Sequence, residues 1–211
     1  MPDGIARARL ARQALRLNQA ARVRTAACAR VLPPLILMTD DARLPDPLPA
    51  VRALPAGSMV IVRARDDARR AQLARQIVAL NRKRALKILV AGDAVLAARL
   101  GADGVHLAEA ELPLGARLRA RHPHWLITAA AHHARSVMRA HTFGLDAVLL
   151  SPVFPTESHR GAPALGIFRC AAIARAARLP VYALGGVDAR NAVALTAVTG
   201  IAAIGALQPH R

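Results

Sequence analysis

The chain has 211 residues, of which 54% are hydrophobic and 20% charged; that length suits one domain, and the apolar content excludes wholesale disorder. Arg recurs every few positions, so no apolar run reaches the ~18 residues of a membrane-spanning helix, and the two cysteines, Cys28 and Cys170, are too few for a disulfide framework or a four-cysteine zinc site. The formal net charge is +17, yet only Lys83 and Lys87 are lysines and aromatic residues make up 2%; an Arg and Ala bias with almost no stacking surface argues against nucleic acid and leaves phosphorylated small molecules as fitting ligands.

In chain order, residues 4–30 come first, where Ile5, Leu10, Leu15 and Leu17 recur among Arg and Ala, with Pro2 and Asp3 near the start. This predicts a basic amphipathic helix. An Arg-rich, acid-poor segment also has the character of a mitochondrial transit peptide; an extra helix packed on the domain is preferred, because Arg is as frequent elsewhere. Residues 1–33 are therefore read as helix and connector, and 34–211 as the main domain.

After Pro33-Pro34, short apolar runs appear at Leu35–Met38, Met59–Val62, Leu86–Val90, Gly104–Leu107, Leu126–Ala130, Ala147–Leu150, Val181–Leu184 and Ile201–Ile204. Between them, Arg69–Leu80, Ala94–Leu100, Ala134–His141, Phe168–Ala177 and Ala189–Val198 carry helical patterning. Strands that are apolar throughout are buried on both faces, and their alternation with helices makes βαβ units. Eight of them predict a (β/α)₈ TIM barrel with an extra N-terminal helix and a truncated C-terminal end, where the N-terminal helix covers part of the barrel. A doubly wound open sheet is the alternative.

In such a barrel the chemistry lies at the C-terminal ends of the strands. The turns after strands seven and eight read Ala183-Leu-Gly-Gly-Val187 and Ile204-Gly-Ala206. Gly there lets backbone N–H groups approach a phosphate, so Gly185, Gly186, Ile204 and Gly205 are phosphate-binding candidates; the bland reading is a pair of tight turns. Strand six leads into Ser151-Pro-Val-Phe-Pro-Thr-Glu-Ser-His-Arg-Gly161, whose hydroxyls and cations suit a phosphate or pyrophosphate.

Gly101-Ala-Asp-Gly-Val-His-Leu107, Pro152-Val-Phe-Pro-Thr156, Leu165-Gly166, Ala183-Leu-Gly-Gly-Val187 with Asn191, and Leu37-Met-Thr-Asp40 follow one another at a recognisable spacing. Together they resemble the thiamine phosphate synthase/TenI family over about residues 34–207. The resemblance implies a (β/α)₈ barrel that binds a thiazole phosphate. In synthases it implies in addition a hydroxymethylpyrimidine pyrophosphate with Mg²⁺, displaced by the thiazole nitrogen to give thiamine phosphate.

At the positions that serve the pyrophosphate the match is uneven. The strand-two pattern Gln-x-Arg-x-Lys of synthases is here Ile61, Arg63 and Arg65; the Asn-Asp pair after strand three is Gly92-Asp93; the second metal-binding Asp falls near Glu111, with Glu109 beside it. The strand-five Ser falls on Ala130, the Thr-x-Thr-Lys after strand six on Thr156-Glu157-Ser158-His159, with Arg160 next door, and the strand-eight Ser on Gly205. The resemblance thus implies Arg63, Arg65, Thr156, Ser158 and His159 as further phosphate-binding residues, and Asp93 with Glu111 as the Mg²⁺ ligands of a synthase.

With the thiazole half kept and the pyrophosphate half eroded, the pattern favours a TenI-like thiazole tautomerase. The resemblance places its proton-transfer histidine at His132, with His133 adjacent; a neutral imidazole near pH 7 suits that task. A Mg²⁺-dependent synthase with an altered pyrophosphate site is the alternative, and a non-catalytic phosphate-binding barrel the second. A zinc site from His106, His132, His133 and His159 has no recognisable ligand spacing. The expected setting is cytoplasmic. The expected partners are the small phosphorylated substrates, with no nucleic acid and no membrane; homo-oligomerisation is left open.

Overall fold

The computed structural model describes residues 2–24, 30–81, 84–156 and 163–208. Eight parallel strands close on themselves in sequence order: β1 (Leu35–Met38), β2 (Met59–Val62), β3 (Lys87–Ala91), β4 (Gly104–Leu107), β5 (Leu126–Ala131), β6 (Ala147–Leu150), β7 (Val181–Ala183) and β8 (Gly200–Ala203), with β8 pairing back to β1. The open sheet is therefore excluded. Nearly every strand residue is buried, because one face fills the barrel and the other lies under helices.

The helices are α1 (Pro2–Arg24), α2 (Leu48–Ala53), α3 (Asp67–Asn81), α4 (Ala94–Leu100), α5 (Leu114–Arg121), α6 (Ala134–Thr142) and α7 (Gly166–Ala176). The short helices α2 and α5 escaped the periodicity reading. Each begins beside a proline, Pro47 and Pro49 for α2 and Pro113 for α5, where the missing N–H costs nothing and φ is already set for a helix.

The helix expected over Ala189–Val198 does not form; only a 3₁₀ turn, Ala192–Ala194, is present. Asp188 and Asn191 hold each other instead: Asp188 Oδ1 accepts the Asn191 N–H at 2.9 Å, and Asn191 Oδ1 accepts the Asp188 N–H at 2.9 Å. The chain is extended again at Leu195, and α1 packs against this turn.

Helix α1 also packs against β1 and β8, burying Leu10, Ala14, Leu17 and Ala21 at helical spacing. Asn18, 2% exposed, donates to the carbonyls of Leu32 and Thr199, both at 3.2 Å. Tyr182, wholly buried in β7, donates to Pro33 O at 2.6 Å, and burial raises its phenol's pKa. The first helix is thus stapled over the seam where the last strand meets the first. No helix among the described residues is long and apolar enough to cross a membrane.

Candidate functional site

The carboxyl ends of the strands open into a cavity of about 830 Å³. Its wall at β1 and β2 is built around Thr39 and Asp40. Thr39 Oγ1 donates to Arg63 O at 2.7 Å and accepts from Arg63 N–H at 2.8 Å, tying the two strand ends together. Asp40 then takes the N–H groups of Ala42 and Arg43 on Oδ1, and Arg43 Nη2 at 3.0 Å and Arg63 Nη1 at 2.8 Å on Oδ2. Partial burial alone would raise its pKa, but the hydrogen bonds and charge of Arg43, with Arg63 beyond, hold it at about 2.

Arg43 was not anticipated. It lines the large cavity and also a smaller cup of about 180 Å³ that it shares with Thr156, Gly185, Gly186, Ile204 and Gly205. The structure therefore gathers all the described residues expected to hold phosphate at the β7 and β8 ends, and adds a guanidinium. The N–H groups of Gly186 and Gly205 donate to no acceptor among the described residues, which leaves them available to an anion.

The two glycines differ. A Cβ at Gly186, whose φ is +66°, would collide with Pro155 O and lie 2.8 Å from Phe154 Cβ. At Gly205 a Cβ meets nothing within 4 Å. So Gly186 is required by the approach of the β6 loop, held by Phe154 N–H donating to Gly185 O at 3.0 Å, whereas Gly205 has room for a side chain. Ser158 and His159, with Arg160, lie outside the described residues.

On the opposite wall, His132 follows β5 and lines the cavity. Its Nδ1 is 2.9 Å from Ser151 O and 3.4 Å from Ser151 Oγ. A carbonyl can only accept, so Nδ1 carries the proton and Nε2 is the basic nitrogen. The loop is clamped by Glu109, whose Oε2 accepts His132 N–H and Oε1 accepts Ser136 Oγ–H, both at 2.6 Å. Glu109 is thus spent on positioning. His133 is exposed at the start of α6 and is not part of the lining.

His106, on β4, also lines the cavity although 5% exposed. Burial, with a smaller contribution from the charge of Arg63, lowers its pKa to about 4, so it is a neutral partner of Thr128 Oγ1, 2.9 Å from its Nδ1. An inward-pointing polar residue on an apolar strand was the available signal for it. Among the described residues no three His, Cys, Asp or Glu side chains gather to hold a metal, zinc included.

Arg63, Arg65 and Glu111 line the cavity as expected, joined by Arg70 from α3, while Asp93 does not. Asp93 Oδ1 caps α4 by accepting Leu96 N–H at 2.8 Å, and its Oδ2 faces Arg70 Nη2 at 3.8 Å. Glu111 Oε2 accepts Ala108 N–H at 2.9 Å. The carboxylates expected to hold Mg²⁺ are therefore engaged with backbone N–H groups, and one of them faces a guanidinium; they do not fit a divalent-cation site, which needs hard oxygens free of competing cations. Cys170, the one cysteine among the described residues, is buried, and burial pushes its thiol up to about 11.

A closed eight-stranded parallel barrel with a glycine-rimmed cup after its last two strands and an arginine-lined cavity beside it defines a protein of the TIM-barrel class. Residues 35–207 match the thiamine monophosphate synthase family, and the chain belongs to it. It is 33% identical over 183 residues to the thiamine-phosphate synthase of Salinispora tropica, covering 82% of this chain and 88% of that one. It is 39% identical over 118 residues to the synthase of Methanoculleus marisnigri, covering 54% and 55% respectively. Among solved structures, a thiamine phosphate pyrophosphorylase from Pyrococcus furiosus superposes with a TM-score of 0.68 at 24% identity, covering 81% of this chain and 84% of that one. An N-(5'-phosphoribosyl)anthranilate isomerase from Pyrococcus furiosus, with a TM-score of 0.57 at 14% identity and coverage of 83% and 90%, shares the fold alone.

Proposed function

We propose that this enzyme joins a hydroxymethylpyrimidine diphosphate to a thiazole phosphate, forming thiamine phosphate. The observation that carries the reading is the presence of two anion-attracting ends in one continuous site. Gly186 and Gly205 with Arg43 form the first, suited to the thiazole phosphate, and Arg63, Arg65 and Arg70 form the second, suited to the diphosphate. A cavity of about 830 Å³ has room for two small ligands side by side. In the reaction the thiazole nitrogen forms a bond to the pyrimidine methylene carbon while the carbon–oxygen bond to diphosphate breaks. The arginines neutralise the charge that accumulates on the leaving diphosphate. The names of the relatives support the same reading.

A second reading, the TenI-like tautomerase, is favoured by one specific arrangement: His132 is oriented by Ser151 O so that Nε2 is its basic nitrogen. That reaction needs only the thiazole phosphate end. Supplying purified protein with both synthase substrates and following thiamine phosphate by chromatography separates the two. Product formation supports the synthase; no product, together with aromatisation of a thiazole phosphate tautomer, replaces it with the tautomerase.

A further inference from the structure

Arg70 is unlike the other cations of the cavity. Arg63 reaches it from a strand end and is 45% exposed, whereas Arg70 stands on α3 with a side chain only 13% exposed. Its Nη2 donates to Asp67 Oδ1 at 2.7 Å and lies 3.8 Å from Asp93 Oδ2. Nη1 lies 3.4 Å from Ala64 O, and Nε is buried with no hydrogen-bond partner among the described residues. A cation brought to Asp93 would have to displace this guanidinium or sit beside its permanent charge.

We propose that Arg70 takes the role of a divalent cation at this end of the cavity, so that a diphosphate group is held by Arg63, Arg65 and Arg70 without metal. Guanidinium groups match phosphate oxygens with paired N–H donors and stay charged at any working pH. Asp67 then serves as a positioning residue that aims Arg70 through its hydrogen bond, and a metal at Asp93 would have to share that carboxylate with the guanidinium charge 3.8 Å away. The identity of the ligand rests on the synthase reading above; the metal independence rests on Arg70 itself.

The test is calorimetric titration of the whole protein with inorganic pyrophosphate, in EDTA and again with Mg²⁺. Wild-type protein is expected to bind pyrophosphate in EDTA, and Mg²⁺, which complexes pyrophosphate in solution, is expected not to tighten that binding. Arg70→Gln is expected to weaken binding in EDTA at least tenfold, and Arg70→Lys, which keeps the charge, to weaken it less. Circular dichroism checks that both variants fold, and if they do not, the wild-type comparison decides by itself. Pyrophosphate binding that requires Mg²⁺, or an Arg70→Gln protein that binds as tightly as wild type in EDTA, overturns the proposal. Binding in EDTA without any thiamine phosphate formation leaves this inference standing and removes the synthase reading, whereas Mg²⁺-dependent binding and turnover do the reverse.

Discussion

Asp40 offers the sharpest quantitative check on how the site is held together. Its carboxylate accepts four hydrogen bonds from Ala42, Arg43 and Arg63, and its pKa falls from 3.8 to about 2. Each pKa unit is worth about 1.4 kcal/mol, so the ionised form stabilises the fold by at most ~2.5 kcal/mol. Arg63 is 45% exposed and solvent screens its share, which brings the figure to ~1–2 kcal/mol. Asp40→Asn keeps an oxygen for the backbone N–H groups and removes the charge, and should therefore lower the unfolding free energy at pH 7 by ~1–2 kcal/mol. The native pKa lies below the unfolded one, so the stabilisation is complete above about pH 4 and is lost as the pH falls toward 2. Urea unfolding of both proteins at pH 7, 5 and 3 should show a constant gap at the first two values and about half of it at the third. A gap that persists undiminished at pH 3, or none at pH 7, would refute the electrostatic account.

Three further outcomes follow from the same geometry. If proton transfer to the thiazole is part of this enzyme's chemistry, His132→Ala should slow tautomer aromatisation by about 10²–10⁴-fold with little change in thiazole phosphate affinity, while the exposed neighbour His133→Ala should have no effect; equal losses in both would show that the loop, not the imidazole, matters. Gly205→Ser places a hydroxyl in open space at the cup and should tighten inorganic phosphate binding by roughly threefold to tenfold, read by calorimetry; unchanged affinity would move the phosphate away from β8. His106 is buried neutral with a pKa near 4 against 6.5 unfolded, so its contribution is present above about pH 6.5 and should be lost on acidification, by ~2 kcal/mol at pH 5; His106→Gln should abolish that difference in urea unfolding between pH 7 and 5.

The barrel was legible in the chain because parallel strands covered on both faces have to be apolar from end to end. Runs such as Met59–Val62 and Ala147–Leu150 therefore mark themselves to the residue. The glycine turn after β7 was legible for a related reason: only glycine tolerates the approach between Gly185-Gly186 and the β6 loop. Local pattern did not reveal what long-range packing decides. Ala189–Val198 has helical composition, yet the mutual hold of Asp188 and Asn191 and the presence of α1 against the same turn leave it a single 3₁₀ turn. Arg43 and Arg70 were invisible among so many arginines: each has a carboxylate three residues before it, Asp40 and Asp67, but that spacing does not tell that either guanidinium faces the cavity, and Asp93 meets Arg70 only through the fold. Asp93 caps α4 locally, three residues before Leu96, and the fold brings its other oxygen to face the Arg70 guanidinium. Sequence by itself thus determined the strands, the barrel and the glycine turns at the ends of β7 and β8, through rules local to a few residues. Tertiary structure decided which distant charges meet, Arg63 with Asp40 and Arg70 with Asp93, because such pairs depend on distances that linear spacing does not record.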